Sequence, residues 1–470
     1  MADLDLCYMP ATEMARRIRE GRLSPIRVVE NSLARIAEVN PKLNCFCFTY
    51  PDEAIEKAKQ AERAVKRGDK LGPLHGVPIA IKDLTPTKGK RTTLGSYCFE
   101  NWVPDWNATV VDKLEAAGAI MVGKTTTPEF AYSSFTESPL WGITRNPWNP
   151  ERTPGGSSGG SGAAVASGCV PLAEGTDMGG SVRIPAAWCG IVGLKPSLGR
   201  ISQNLLPSVF DNISHFGPLA RTIEDARLFL KVTQGPDDRD IQSIDTPIDL
   251  DSPFTRSVEG MRLALDLDLA IYAIDPEVER LVMNSVKALQ KAGAIVEEVS
   301  VPWDRRLAQA WTELWEVFMA AYFGDYLEKF RDKMDPHVVA LIEAGNKMPA
   351  THYKRIEIER SEQWKGFYPI LQKYDAFLCP TMSRDAPPVD EDDNKYYADW
   401  GDGRYHGLDI TGQFNMIAPC PVLSVPAGWT KDGLPVGMQI VGPRWRDDIV
   451  LQIGAALERV QPWAEKRPPI

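Results

Sequence analysis

Between Gly155 and Ala186 the chain reads GGSSGGSGAAVASGCVPLAEGTDMGGSVRIPA, and well upstream a lysine follows the apolar run in HGVPIAIKDL. Two serine-bearing, glycine-lined turns and one lysine offer a nucleophile, a proton relay and a base, the parts that acyl transfer needs when no metal takes part. Glycines around Ser157 and Ser158 free the backbone for positive φ or other strained conformations and let amide groups approach a ligand closely. In EGTDMGGSVRIPA, Ser181 follows two more glycines. Successive N–H groups turned inward there would form an anion-binding concavity where an acyl oxyanion develops.

Lys82 ends VPIAI, so its side chain belongs to a desolvated interior, where burial disfavours the ammonium. Bringing its pKa from about 10.4 to near neutrality costs about 4 kcal/mol at about 1.36 kcal/mol per unit. A core tolerates that only when polar neighbours are supplied, and two hydroxyls would supply them. The competing reading is a structural lysine paired with Asp83 or Asp177. A serine–glycine string alone is a poor sign, because flexible linkers share its composition. Here it sits between NPWNPERTP, a proline-rich turn, and GAAVASG, the start of a buried helix of small residues, which is not a linker's setting.

The elements that would position these groups alternate in type. The first 70 or so residues space their apolar positions at three and four and read as helical, wrapping the core. Short β-rich runs then alternate with helix-like ones: VPIAI at 77–81, VVDKLEAAG, AIMVG at 119–123, MRLALDLDL from 261, PEVERLVMNSVKALQKAG from 275 and AIVEEVSV from 294. DAFLCP, VLSVPAG and LPVGMQIVG add three strands. Alternation over this length implies an α/β sheet with helices on both faces, and the lack of a linker or repeat implies a single domain, 1–470. Residues 303–374, helical and rich in tryptophan and tyrosine, suit a cap beside the sheet. EDDNKYYADWGDGRYHG, near 391–407, reads as a solvated loop, with a mobile flap over a pocket as the alternative.

Composition narrows the class. With 43% hydrophobic and 25% charged residues over 470, the chain can bury a broad core. A net charge of −10 speaks against nucleic acid or an anionic membrane as partner. No apolar run approaches the ~20 residues of a bilayer helix, and MADLDLCYMPATEM lacks the flank and core of a secretion signal, so the expected location is cytoplasmic. The eight cysteines are scattered without a C-x-x-C pair and read as reduced core residues. The five histidines lack metal-ligand spacing, although a histidine triad could assemble in space. GAIMVGKT at 118–125 matches a phosphate loop formally, but its four intervening residues are themselves the strand and no helix opens after it.

HGVPIAIKDL, TPGGSSGGSGAAVASG and GTDMGGSVRIPAAWCGIVGLKPS resemble the amidase signature family of serine hydrolases. The likeness extends to FGPLARTIEDA at 216–226 and GLPVGMQIVGPRW near the end. It implies a mixed, twisted central sheet covered by helices on both faces. Carried over residue by residue, it makes Ser181 the nucleophile, Ser157 a bridging serine after a cis peptide bond, and Lys82 the base. The backbone N–H groups of Met178, Gly179, Gly180 and Ser181 would form the oxyanion hole. Asp177 and Arg183 would brace that loop, and Ser158 would support the relay. The implied activity is hydrolysis of a carbon–nitrogen amide bond in a small, uncharged substrate by water through an acyl-serine, without cofactor or metal. Ester or carbamate cleavage is the expected side activity, and a homodimer is compatible with the likeness. The alternative within the family is the glutaminase component of a tRNA-dependent amidotransferase, which delivers ammonia to a partner. VVALIEAGNKMPATHYKRIEIE shows no arginine-rich segment resembling that component's glutamine-carboxylate site. PEFAYSSF at 128–135 and GQFNMIAPCP at 412–421 are either an acyl pocket or plain core.

Overall fold

In the computed structural model, which describes residues 1–252, 257–398 and 400–470, the alternating runs assemble into an eleven-stranded sheet. In chain order its strands are β1 (Phe46–Thr49), β2 (Pro78–Lys82), β3 (Ile120–Thr125), β4 (Leu172–Asp177), β5 (Val192–Lys195) and β6 (His215–Ala220). The rest are β7 (Arg262–Leu265), β8 (Ile295–Glu298), β9 (Ala376–Pro380), β10 (Val422–Trp429) and β11 (Pro435–Val441). Their spatial order is β1-β3-β2-β4-β6-β5-β10-β11-β9-β7-β8. Parallel pairs occupy two regions, β3-β2-β4 and β9-β7-β8, and antiparallel pairs join them, so the sheet is mixed as expected.

Strand alternation sorts the core into two faces. Ile79 and Ile81 of β2 join Leu172, Leu423 and the helices Ile223–Thr233, Pro276–Lys291 and Asp447–Val460 on one side. Ala80 joins Ala173, Leu219 and the helices Pro25–Leu43, Gly159–Ala166 and Arg183–Cys189 on the other. Helix Pro276–Lys291 shows why these segments fold so. Asp275 caps it by accepting from the Glu277 N–H, Pro276 stands where no N–H is needed, and Val278, Leu281, Val282, Ser285, Val286 and Leu289 form its buried stripe.

One expectation fails near the start. The first 70 residues are not helical throughout: Phe46–Thr49 is an edge strand, antiparallel to β3, between helices Pro25–Leu43 and Pro51–Arg67. An aromatic, β-prone FCFT bounded by Asn44 in the left-handed conformation and by Pro51 is a strand signal that the flanking helical periodicity obscures. The 303–374 region is helical, with helices Arg305–Phe323, Pro336–Asn346 and Ala350–Lys373. Among the described residues no helix is long and apolar enough to cross a membrane.

Candidate active site

Because Ala80 faces the helix of small residues, Lys82, two residues on, projects to the same side, where Ser157 stands just ahead of that helix. The helix comes close because it has almost no side chains: a Cβ on Gly160 would lie 2.5 Å from the Thr126 nitrogen. Lys82 Nζ is 2.7 Å from Ser157 Oγ and donates to Thr176 Oγ1 at 2.9 Å. The Lys82 backbone N–H donates to Glu174 Oε2 at 2.9 Å, fixing the end of β2. Burial, partly offset by the charges of Glu174 and Asp177, brings the Lys82 pKa down to about 7. The structural alternative does not hold. Asp83 takes the Thr93 N–H and hydroxyl and lies 3.9 Å from Lys124, while Asp177 pairs with Arg183. A neutral amine at 2.7 Å can take a proton from the Ser157 hydroxyl.

Ser157 follows a cis peptide bond from Gly156. Ser181 sits on the turn after β4, 9% exposed, and opens onto a cavity of about 410 Å³ together with Met178 and Gly179. Among the described residues no hydrogen bond joins the Ser157 and Ser181 hydroxyls. The two turns meet one residue away, where the Ser158 N–H donates to the Ser181 carbonyl at 3.2 Å. Ser158 Oγ bonds the Thr176 backbone, not the other hydroxyls.

Asp177 and Arg183 form a fully buried pair at 2.9 Å. The carboxylate also accepts from the N–H of Gly180 at 3.0 Å and of Val182 at 3.3 Å, so it shapes the turn directly. The Arg183 guanidinium and the Asn415 amide hold its pKa well below the usual range against the opposing effect of burial. The Gly180 N–H thus donates to Asp177, and of this turn Met178, Gly179 and Ser181 line the cavity while Gly180 does not. All five N–H groups of Arg183 are used, on Asp177, Thr411, Gln439 and Asn415. Sequence reasoning misses Asn415, Gln439, Thr411 and Thr176. Thr176 is within its reach, as the polar residue inside GTDMGGS; the others arrive from more than 200 residues away and carry no local signal.

The histidines lie elsewhere. His215 is buried against the Asp177 carbonyl at 3.1 Å and Lys195 Nζ at 3.4 Å, and burial with the Lys195 charge drops its pKa to about 3. Among the described residues no histidine bonds Ser157 or Ser181. Lys124 of the phosphate-loop match is buried in β3 and donates to the Thr85 carbonyl and Thr92. The eight cysteines are free thiols, six of them buried.

The cavity wall combines several segments. Trp311 and Trp315 come from the cap helix Arg305–Phe323, Tyr132 and Ser133 from the 128–135 stretch, and Gly412 and Gln413 from the 412–421 stretch. The remaining aromatic members of those two stretches, such as Phe130 and Phe414, are core. The 391–407 segment is not a simple solvated loop. Tyr396 is buried, Asp393 accepts from Ser133 at 2.6 Å, and Asp393, Tyr397 and Tyr405 line the cavity; Asp399 lies outside the described residues.

This fold, with its mixed sheet and its buried lysine beside two glycine-lined serine turns, is that of an amidase. The amidase profile matches residues 27–451, and the chain belongs to the amidase signature family and is an amidase. It is 36% identical to an acylamidase from Rhodococcus erythropolis, over 100% of this chain and 98% of that one. It is 37% identical to the A component of a glutamyl-tRNA(Gln) amidotransferase from Symbiobacterium thermophilum, over 98% of each. A crystal structure of a bacterial aryl acylamidase of the amidase signature family superposes with a TM-score of 0.92 at 29% identity, covering 97% of both chains.

Proposed function

We propose that this amidase hydrolyses small amides through an acyl-serine intermediate. Ser181 attacks the carbonyl, its proton passes to Ser157, and Ser157 gives its own to neutral Lys82. The oxyanion is held by the N–H groups of Met178, Gly179 and Ser181, which need no reorganisation. The same relay returns a proton to the leaving amine, and water then releases the acid from Ser181. The observation that carries this reading is the 2.7 Å contact between Lys82 and Ser157 in full burial. The missing contact between the serines is compatible with it, since catalytic hydrogen bonds are often long without substrate and tighten on binding. Esters and carbamates pass through the same tetrahedral oxyanion and belong to the same panel. Free thiols throughout suit a reducing, cytoplasmic setting.

The amidotransferase component is the second reading, favoured by the relative from Symbiobacterium. Against it, no arginine or lysine lines the cavity among the described residues, and Arg183 has no N–H to spare for a glutamine carboxylate. A chromogenic panel of anilides, primary amides, esters and carbamates tests the hydrolase. Ser181→Ala, Ser157→Ala and Lys82→Ala should each lower kcat/KM by about 10³-fold or more. Full activity in Lys82→Ala would refute the assignment, and glutaminase activity with a co-purifying partner would favour the amidotransferase.

A further inference from the structure

Three carboxylates stand in the cavity wall, Glu316, Asp393 and Asp409, and no lysine or arginine stands among them in the described residues. Six aromatic rings share the wall: Tyr132, Tyr272, Trp311, Trp315, Tyr397 and Tyr405. Burial outweighs the opposing effects of His337, which also lines the cavity, on Asp393 and of Arg183 on Asp409. Burial raises the pKa of Glu316 and of Asp393, and raises that of Asp409 to about 6 although Tyr397 donates to it. The nearby His337 is engaged at Nδ1 with the Asn394 amide at 3.0 Å and at Nε2 faces Asp392 at 3.7 Å.

A separate observation points the same way. Gln413 is 1% exposed and lines the same cavity; its Nε2 donates to the Tyr272 hydroxyl, but its Oε1 has no hydrogen-bond partner. A buried acceptor left unpaired costs about 1–3 kcal/mol, so this oxygen calls for a donor from whatever fills the space. An ammonium brings three donors and no acceptor. A buried donor on the wall without a hydrogen-bond partner, Trp315 Nε1, suits an amide carbonyl instead.

We propose that the cavity selects amides carrying a protonated amine beside an apolar body, the ammonium held by Glu316 with Asp393, Asp409 and the Gln413 carbonyl among the aromatic rings, and that it rejects carboxylate-bearing ones. This deepens the amidase reading and replaces the expectation of an uncharged substrate. Aromatic faces attract the same cation, and a bare carboxylate entering this wall meets like charge without relief.

The test uses three matched ligands that the enzyme does not cleave, so it is independent of turnover: 2-phenylethylammonium, 2-phenylethanol and 3-phenylpropanoate, titrated into the wild-type protein by calorimetry at pH 8. The ammonium should bind at least tenfold tighter than the alcohol, with the carboxylate weakest. Glu316→Gln should narrow the ammonium-to-carboxylate ratio at least tenfold, and Asp393→Asn gives a second arm if that protein folds poorly. Equal affinities, or a preference for the carboxylate in the wild type, would overturn the proposal. Failure to hydrolyse any member of the chromogenic panel would instead sink the hydrolase reading and leave this binding order standing.

Discussion

The role of base proposed for Lys82 requires an uncharged amine, and with a pKa of about 7 that condition is met on the alkaline side of neutrality. The kcat/KM of the wild type should therefore fall about tenfold per unit as pH drops below about 7. Lys195 and Glu129 also titrate at about 7, so the limb needs an owner. It should vanish from the residual activity of Lys82→Ala, and a limb that persists there would take the role from Lys82. The same shift has a signature in stability. The folded value lies below the ~10.4 of the unfolded chain, so between about 7 and 10.4 the unfolded state binds the extra proton and stability rises with pH. Against Lys82→Met, the wild type should gain about 2 kcal/mol between pH 7 and pH 9, read from urea unfolding of both proteins, because the slope starts at half of about 1.36 kcal/mol per unit where the folded lysine is half deprotonated and reaches the full value above. Equal pH dependence would show that Lys82 stays charged when folded. The lysine is legible in the sequence because its apolar run announces burial, and Ser157 and Ser181 because their glycines mark unusual backbone. Thr176, its second partner, is visible inside GTDMGGS, but its contact with Lys82 emerges only once β2 and β4 lie side by side.

At the scale of elements, the turn after β4 depends on what packs behind it. Gly180 has φ +125°, a region that residues with a Cβ rarely adopt, and a Cβ there would overlap the Thr411 side chain, which itself donates to the Gly179 carbonyl. Gly180→Ala should move Ser181 and lower kcat/KM by at least about 10²-fold, because a misplacement of about 1 Å has that effect. Gly401→Ala, also at positive φ but with open space around it, serves as control for backbone strain alone. Comparable losses in both would show that the contact with Thr411 is irrelevant. The sequence exposes Gly180 as special but not why, since Thr411 is 231 positions further on and ordinary in its surroundings. The same reason hides the role of the 391–407 segment. Its acidic and turn-forming composition describes a surface loop correctly in isolation, and only the helices opposite turn its tyrosines and Asp393 into a cavity wall. The strand at Phe46–Thr49 is lost in its neighbours' helical rhythm, whereas β2, β3 and β7 to β11 are readable to within a few residues; β4, β5 and β6, as LAEGTD, VGLK and HFGPLA, are too short and too broken by glycine, proline or charge to read as strands from their own residues.

For the whole molecule, we propose that sheet and cap form a single cooperative unit. Phe367, buried on cap helix Ala350–Lys373, packs against Phe377 of β9 at 5.2 Å and against Trp303 of the cap at 5.1 Å between ring centroids. Met178, beside the Ser181 turn, shares a second apolar cluster with Ala310, Leu314 and Ile356 of the cap. The outer segments are tied in as well. Arg35 of helix Pro25–Leu43 donates to the Ser167 and Ile470 carbonyls, each at 2.9 Å, and Asp225 takes the N–H groups of Ala11 and Thr12. With the cavity built from both parts, losing the cap's packing removes the wall that faces Ser181. Phe367→Ala should cost about 3–5 kcal/mol through lost burial and the cavity left behind. That cost should move the entire urea transition to lower denaturant, with tryptophan emission and far-UV circular dichroism still coincident, because coincident probes are the sign of all-or-none unfolding. If the cap were an independent unit, the substitution would split the curve. Only the portion reporting on Trp303, Trp311, Trp315 and Trp364 would shift, and hydrolysis would disappear in that first step while the sheet remained folded.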